Sequence, residues 1–169
     1  RAIKLDPNAS LAHYFTGVLH KTRARPHDAL KSFTRTIELN PSSAPAYAKT
    51  AHNLSRIGRL PEALEHVRYA IRLSPRDPSL GLWSTFGGQI ELELGRDQAA
   101  IDWLTKAASL DPRSPFIRAS LAGAYALQGD KATAAKLADE TRALAPWLPL
   151  ERMIERLAGL SEPGHVPKR

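Results

Sequence analysis

Three histidines spaced by seven, His13, His20 and His27, are the side chains best suited to hold a metal ion. Zinc-type sites bring each imidazole to about 2.0–2.1 Å of one ion. Seven helical residues span two turns, roughly 10 Å, so His13 and His20 share a helix face without sharing a site, and packing is the favoured role for both. No His pair at i, i+4 and no cysteine thiolate supports a metal, and no metal or cofactor is expected. The patterns G-x-x-x-x-G-K-[ST], G-x-S-x-G and H-E-x-x-H are absent. Carboxylate pairs such as Glu91 and Glu93 do not share a helix face. The chain is read as non-catalytic, with no catalytic residue assigned.

Charge is the second chemical signal. Residues 1–76 carry 13 Lys/Arg against 5 Asp/Glu, and residues 77–169 carry 11 against 12. An acidic partner is therefore expected to be drawn to the first half. Lys21, Arg23, Arg25, Arg56 and Arg59 could form a basic rim, but nucleic acid binding wants such a stripe continued and interleaved with stacking aromatics, and the charge fades after residue 76. Nucleic acid is not the expected partner. No apolar run approaches the roughly 18 residues of a membrane span. The lack of cysteine suits a reducing compartment, so the expected location is cytoplasmic.

The elements that position these residues recur. Gly58 to Pro75, GRLPEALEHVRYAIRLSP, is echoed by GRDQAAIDWLTKAASLDP from Gly95, GDKATAAKLADETRALAP from Gly129 and ARPHDALKSFTRTIELNP from Ala24. The closing prolines Pro7, Pro41, Pro75, Pro112 and Pro146 are separated by 34, 34, 37 and 34 residues. Leu11, Tyr14, Phe15, Val18 and Leu19 fall at i, i+3, i+4, i+7 and i+8, the stripe of an amphipathic helix from Ser10 to Thr22. The spacing predicts further helices over 27–39 and 44–57, with Ser43 as cap and Gly58 as a left-handed stop. Asp77 and Pro78 are expected to start another, running to Leu94, and Ser114 and Pro115 the next. Gly81, Gly87 and Gly88 inside the 78–94 helix each cost about 0.8–1 kcal/mol of propensity, for which close approach of a neighbouring backbone is the expected compensation.

The pattern resembles the tetratricopeptide repeat, W-x2-L-G-x2-Y, then A-x3-F, then P. Ala29/Phe33, Ala63/Val67, Ala100/Leu104 and Ala134/Ala138 precede their prolines by one interval, and Gly17, Ala51, Gly88 and Ala122 supply the small residue of the first helix. His13, Thr16, His20, Gly87 and Glu91 depart from the pattern. The resemblance implies an all-α fold, a right-handed α-α superhelix (TPR solenoid) of four helix pairs with a partial N-terminal helix and a C-terminal capping helix. Residues 1–7 would end a truncated preceding repeat, because RAIKLDP matches later repeat ends. Residues 8–41, 42–75, 76–112 and 113–146 would be the repeats, 147–160 the cap with Leu150, Met153, Ile154 and Leu157 on one face, and 161–169 a disordered tail. The chain is read as a piece of a longer protein. Its wording SPRDPSLGLW, GRDQAAIDWLTKAASLDP and LAGAYALQGD resembles the C-terminal repeat regions of bacterial proteins that begin with a nucleotide cyclase or a winged-helix DNA-binding domain.

The resemblance implies a protein or peptide partner held in the concave groove of the first helices of each pair. That face projects onto Tyr14, Val18, Lys21, Lys49, His52, Arg56, Gln89 and Ser120, and an acidic extended segment fits it best. The family's carboxylate clamp needs Lys and Asn where Tyr14 and Val18 stand, so gripping of chaperone tails by that device is not expected. Leu11, Phe15 and Leu19, left with only a stump to cover them, are expected to pair with another copy of the chain. Among Trp83, Trp103 and Trp147, Trp103 is the one expected to be exposed, since Leu104 beside it fills the inward site.

Overall fold

The computed structural model describes residues 7–150, with side chains from residue 9. Among the described residues there are eight α-helices and no strand: α1 (Pro7–Thr22), α2 (Pro26–Leu39), α3 (Ala44–Arg56), α4 (Leu60–Leu73), α5 (Leu80–Glu93), α6 (Asp97–Leu110), α7 (Pro115–Gln128) and α8 (Lys131–Leu144). Consecutive helices pack as hairpins, α1 on α2, α3 on α4, α5 on α6 and α7 on α8. The chain divides into two compact units, one through Asp77 and one from Pro78. Within the first, α2 packs on α3; within the second, α6 packs on α7. The expected stump over residues 1–6, most of the capping helix and the tail lie outside the described residues.

Each hairpin turns by the same device. Gly58, Gly95 and Gly129 take left-handed backbone with φ of +80°, +71° and +95°. The residue after each returns its N–H to a carbonyl five residues back: Arg59 to Leu54, Arg96 to Glu91 and Asp130 to Tyr125, all at 2.9 Å. This closes the otherwise unpaired end of the helix. Ala24 stands at the equivalent place with φ +54°, and Arg25 bonds to His20 at 2.9 Å. There a Cβ is held where it costs about 1–2 kcal/mol, so the turn geometry is imposed by the packing of α1 on α2.

Helix starts differ from expectation in two respects. Ser43 and Ser114 occupy N-cap positions but their side chains accept no capping bond. Of α2 to α8, only α8 is capped by a side chain: Asp130 accepts from the Thr133 N–H at 3.0 Å and from its hydroxyl at 2.7 Å, which lowers the Asp130 pKa. Asp77 and Pro78 do not begin α5. The helix starts at Leu80 behind Ser79, and the two residues belong to a connection of six, 74–79, where the equivalent connections 40–43 and 111–114 have four. Two of the three extra residues of this period are therefore in that connection, and the third is in α5, one residue longer than α3.

The second helix of each hairpin buries Ala29, Phe33 and Thr36, then Ala63, Val67 and Ala70, then Ala100, Leu104 and Ala107, then Ala134, Ala138 and Thr141. The first helix answers with a small residue. A Cβ built on Gly17 would meet the Phe33 ring at 2.7 Å, and one on Gly88 would meet Leu104 Cγ at 2.6 Å and the Ala100 carbonyl at 3.2 Å. The glycines of α5 are thus compensated chiefly by inserted side chains, with backbone contributing at Ala100 and, opposite Gly81, at the Ala107 carbonyl 3.6 Å away. In the second unit Leu92, Ala100, Ile101, Leu104, Leu121 and Ala124 form one core, and Leu148 and Leu150 join Ala119, Ala138 and Ala145 in another.

Gly88→Ala gains about 1 kcal/mol of helix propensity but collides with fully buried Leu104. The expected outcome is a net loss of about 1–3 kcal/mol in urea unfolding; a stabilised variant would show that the notch is not needed.

Candidate partner-binding face

In the first unit the sequence-selected residues lie on α1 and α3. Tyr14 is half-buried with its ring edge-on to Phe33 at 5.7 Å between centroids, and burial, helped by the charge of Asp77, raises its pKa. Val18, Lys21, Lys49 and His52 are half-buried and Arg56 is exposed. Lys49, His52 and Arg56 follow one another at i, i+3 and i+7, so they share a side of α3.

Lys21, in the last turn of α1, senses that side directly. Burial lowers its pKa, and the positive charges of Lys49 and Arg56 lower it further. The three cations are therefore within electrostatic reach of one another. Among the described residues none of them is in an ion pair, whereas Arg35, Arg59, Arg68, Arg96, Arg118 and Arg142 each lie beside a carboxylate.

The second unit is different. Gln89 is half-buried and donates to Ser120 Oγ at 3.5 Å, and Ser120, only 1% exposed, donates to the Phe116 carbonyl at 3.0 Å. Ser120 is a packing residue, and Gln89 alone of this pair reaches the surface. Leu11, Phe15 and Leu19 are 54%, 64% and 47% exposed on α1. On α3 and α7 the residues equivalent to Leu19, Asn53 and Ala124, are buried at 1% and 0%.

Trp103 corrects an expectation. Its ring lies against Gly87, where a Cβ would come within 2.8 Å, and it is half-buried; Trp147 is the exposed tryptophan, at 68%, and Trp83 is buried. The histidines form no metal site: among the described residues no group of three His, Cys, Asp or Glu is placed to hold an ion.

Sequence reasoning missed an aromatic cluster on α3 and α4. Tyr47 lies 4.6 Å from Tyr69 and 5.6 Å from His66 between ring centroids, and the Arg72 guanidinium sits 5.4 Å over Tyr69. With Glu65 these residues line a shallow depression of about 320 Å³. Burial, then the neighbouring Tyr69, raises the Tyr47 pKa, and burial lowers that of His66. The available signal was Tyr47 itself, at the aromatic position four residues before Ala51.

Residues 19–78 match the tetratricopeptide repeat family model. Over those residues the chain is similar to the tetratricopeptide repeat. Small glutamine-rich tetratricopeptide repeat-containing protein 2 of Mycosarcoma maydis is 28% identical over 94 residues, which is 56% of this chain and 26% of that protein. The chain thus spans about a quarter of the length of that relative. Among solved structures, the APC/C hetero-tetramer Cut9-Hcn1 matches with a TM-score of 0.81 at 16% identity, over 88% of this chain and 30% of that one. The first tetratricopeptide domain of Spaghetti bound to the HSP90 peptide SRMEEVD matches with a TM-score of 0.68 at 15% identity, over 76% and 99%. At such identities the likeness is one of fold, and the fold is the all-α tetratricopeptide fold expected from the period. No described helix is long and apolar enough to cross a membrane.

The strain at Lys21 has a measurable sign. A lysine whose folded pKa lies below its unfolded value of about 10.5 destabilises the tetratricopeptide unit at neutral pH, and the penalty fades as pH rises through the folded pKa towards that value. Lys21→Met is expected to stabilise the chain by a few tenths of a kcal/mol at pH 7, less at high salt. Urea unfolding at low and high salt checks this.

Proposed function

We propose that this tetratricopeptide chain is a non-catalytic scaffold that binds an acidic peptide or protein segment on the α1/α3 face. The observation that carries the reading is the convergence of Lys21, Lys49 and Arg56 without a carboxylate partner, which leaves positive potential for a ligand to neutralise. Tyr14 and Val18 supply apolar surface beside it. The HSP90 peptide of the Spaghetti structure, SRMEEVD, is also acidic, but this chain has Tyr14 and Val18 where the clamp residues of the family would stand, so its grip is a different one. In the second unit the proposal assigns Gln89 to the corresponding side of α5, and the repeat boundaries at 41, 75, 112 and 146 are part of the same reading.

The same chain is proposed to act in a larger polypeptide. The wording of SPRDPSLGLW and LAGAYALQGD supports a regulatory region of a bacterial cyclase or of a DNA-binding regulator, located in the cytoplasm. The sequence preceding Arg1 in the gene decides it: a cyclase or winged-helix domain there supports this context, and neither removes it.

The exposed Leu11, Phe15 and Leu19 are proposed to pair with a second copy, since the tetratricopeptide plan buries the positions equivalent to Leu19 under a neighbouring hairpin. Light scattering at high concentration should give a dimer that Phe15→Glu dissociates; a monomer throughout contradicts the pairing.

Titration with a Glu-rich peptide should shift the amide signals of Lys49, His52 and Arg56, with affinity falling on the order of tenfold between about 50 and 500 mM salt. Shifts confined to α2 and α4 would place the ligand elsewhere.

A further inference from the structure

The seam where the two helices of a hairpin meet is filled differently from one hairpin to the next. Between α3 and α4, Tyr47, four residues before Ala51, faces Tyr69, six residues before Pro75, with ring centroids 4.6 Å apart. The equivalent residues of α7 and α8 are Arg118 and Glu140, whose Nε and Oε2 lie 3.8 Å apart, so an ion pair closes that seam. On α5 and α6 the equivalent of Tyr47 is fully buried Ser84, and Trp103, the equivalent of His66, lies against Gly87. On α2 the equivalents of Tyr69 and Arg72 are Arg35 and Glu38, which pair with each other at 2.8 Å. Between α3 and α4 the seam is lined by rings and reaches solvent, with Tyr69 38% exposed and Arg72 exposed beside it.

His66, Tyr69 and Arg72 follow one another at i, i+3 and i+6, which puts them on one side of α4, and Tyr47 meets them from α3. The depression they form with Glu65, about 320 Å³, is shallow, so it suits one side chain of a partner better than a small molecule that must be enclosed on most sides. Its chemistry is specific at two points. The Tyr47 and Tyr69 rings stand at 58° to each other and His66 lies 5.6 Å from Tyr47, so an inserted aromatic ring can stack on one while meeting another edge-on. Burial lowers the His66 pKa, which leaves that ring uncharged at neutral pH.

Arg72 is the second point. Its guanidinium lies 5.4 Å over the Tyr69 ring, and among the described residues it has no carboxylate partner, whereas Arg68 lies beside Glu65 and Arg59 beside Glu62. A guanidinium held over a ring keeps its N–H fork for a carboxylate. The same placement disfavours a cationic ligand, because the ring that would attract it already carries a positive charge. A nucleotide strand could stack on such rings, but it needs a cation for each successive phosphate, and the neighbouring arginines of α4 are taken by glutamates.

We propose that the depression of Tyr47, His66, Tyr69 and Arg72 is a second docking surface, which seats an aromatic side chain of a partner polypeptide and pairs Arg72 with an adjacent Asp or Glu of the same segment. It uses none of Lys21, Lys49 and Arg56, so it stands or falls separately from the α1/α3 face.

The test uses the isotope-labelled chain and three decapeptide libraries with random flanks and a fixed central pair, Phe-Glu, Leu-Glu or Phe-Gln. The Phe-Glu library is expected to shift signals of Tyr47, His66, Tyr69 and Arg72 at roughly fivefold lower concentration than Leu-Glu, and at roughly tenfold lower concentration than Phe-Gln. Tyr69→Leu and Arg72→Gln, both at exposed positions, should keep the helical circular dichroism. The first should remove the preference for Phe and the second the preference for Glu. Equal response to all three libraries, or none at these four residues, overturns the proposal. Tetramethylammonium or a deoxythymidine oligomer that shifts the cluster at lower concentration than the Phe-Glu library overturns it in favour of a cation or of nucleic acid. Shifts from the Glu-containing libraries confined to Lys49, His52 and Arg56 overturn this surface and leave the acidic-ligand reading of the α1/α3 face standing.

Discussion

The structure depends on how closely the two helices of each hairpin approach. Gly17 leaves room for the Phe33 ring and Gly88 for Leu104, and fully buried Ala51 and Ala122 stand at the matching places of the other hairpins. Without a side chain in that position α2 sinks Phe33 into α1 and α6 sinks Leu104 into α5, which removes both partners from water and fixes the crossing. Ala24, with its left-handed backbone at φ +54°, makes the turn that lets α1 and α2 meet in this way.

Burial is concentrated where the helices of a hairpin meet and where one hairpin leans on the next. In the first unit the opposite side of α1 and α3 presents Lys21, Lys49 and Arg56, whereas in the second Gln89 reaches the surface from a helix buried along most of its length and Ser120 is buried beneath it. The hairpin contacts also differ in polarity. Among the described residues Thr50 Oγ1 and Asn53 Oδ1 of α3 are buried without a hydrogen-bond partner, where α7 places Leu121 and Ala124 in an apolar core. An unpaired buried polar atom costs about 1–3 kcal/mol, so the apolar contact of α7 is the more favourable of the two.

The periodic elements were legible before the structure because they are repeated: the Ala29/Phe33 type of pair, the small residue of the first helix and the glycine stops each recur in register with the prolines. What recurs in register is packing, and packing is what periodicity encodes. The start of α5 was not legible, since Asp77-Pro78 looks like a cap while the longer connection carries the chain two residues further before the helix can begin. Trp103 was misjudged because adjacency to Leu104 says nothing of the notch that Gly87 opens on the facing helix. The cluster of Tyr47, His66, Tyr69 and Arg72 combines residues from two helices, so the period could announce Tyr47 but not the partners it meets. On the candidate face the individual cations were readable from helix spacing, but their lack of carboxylate partners is a property of the folded chain.

The most direct test of the hairpin contact is a double-mutant cycle between Gly17→Ala and Phe33→Leu, read by urea unfolding. Relief of the collision by the smaller side chain should make the double variant more stable than the sum of the single losses by about 1 kcal/mol or more. Strictly additive losses would mean that Gly17 and Phe33 do not set the approach of α1 to α2, and the contact on which the fold is argued to rest would not be the one that holds it.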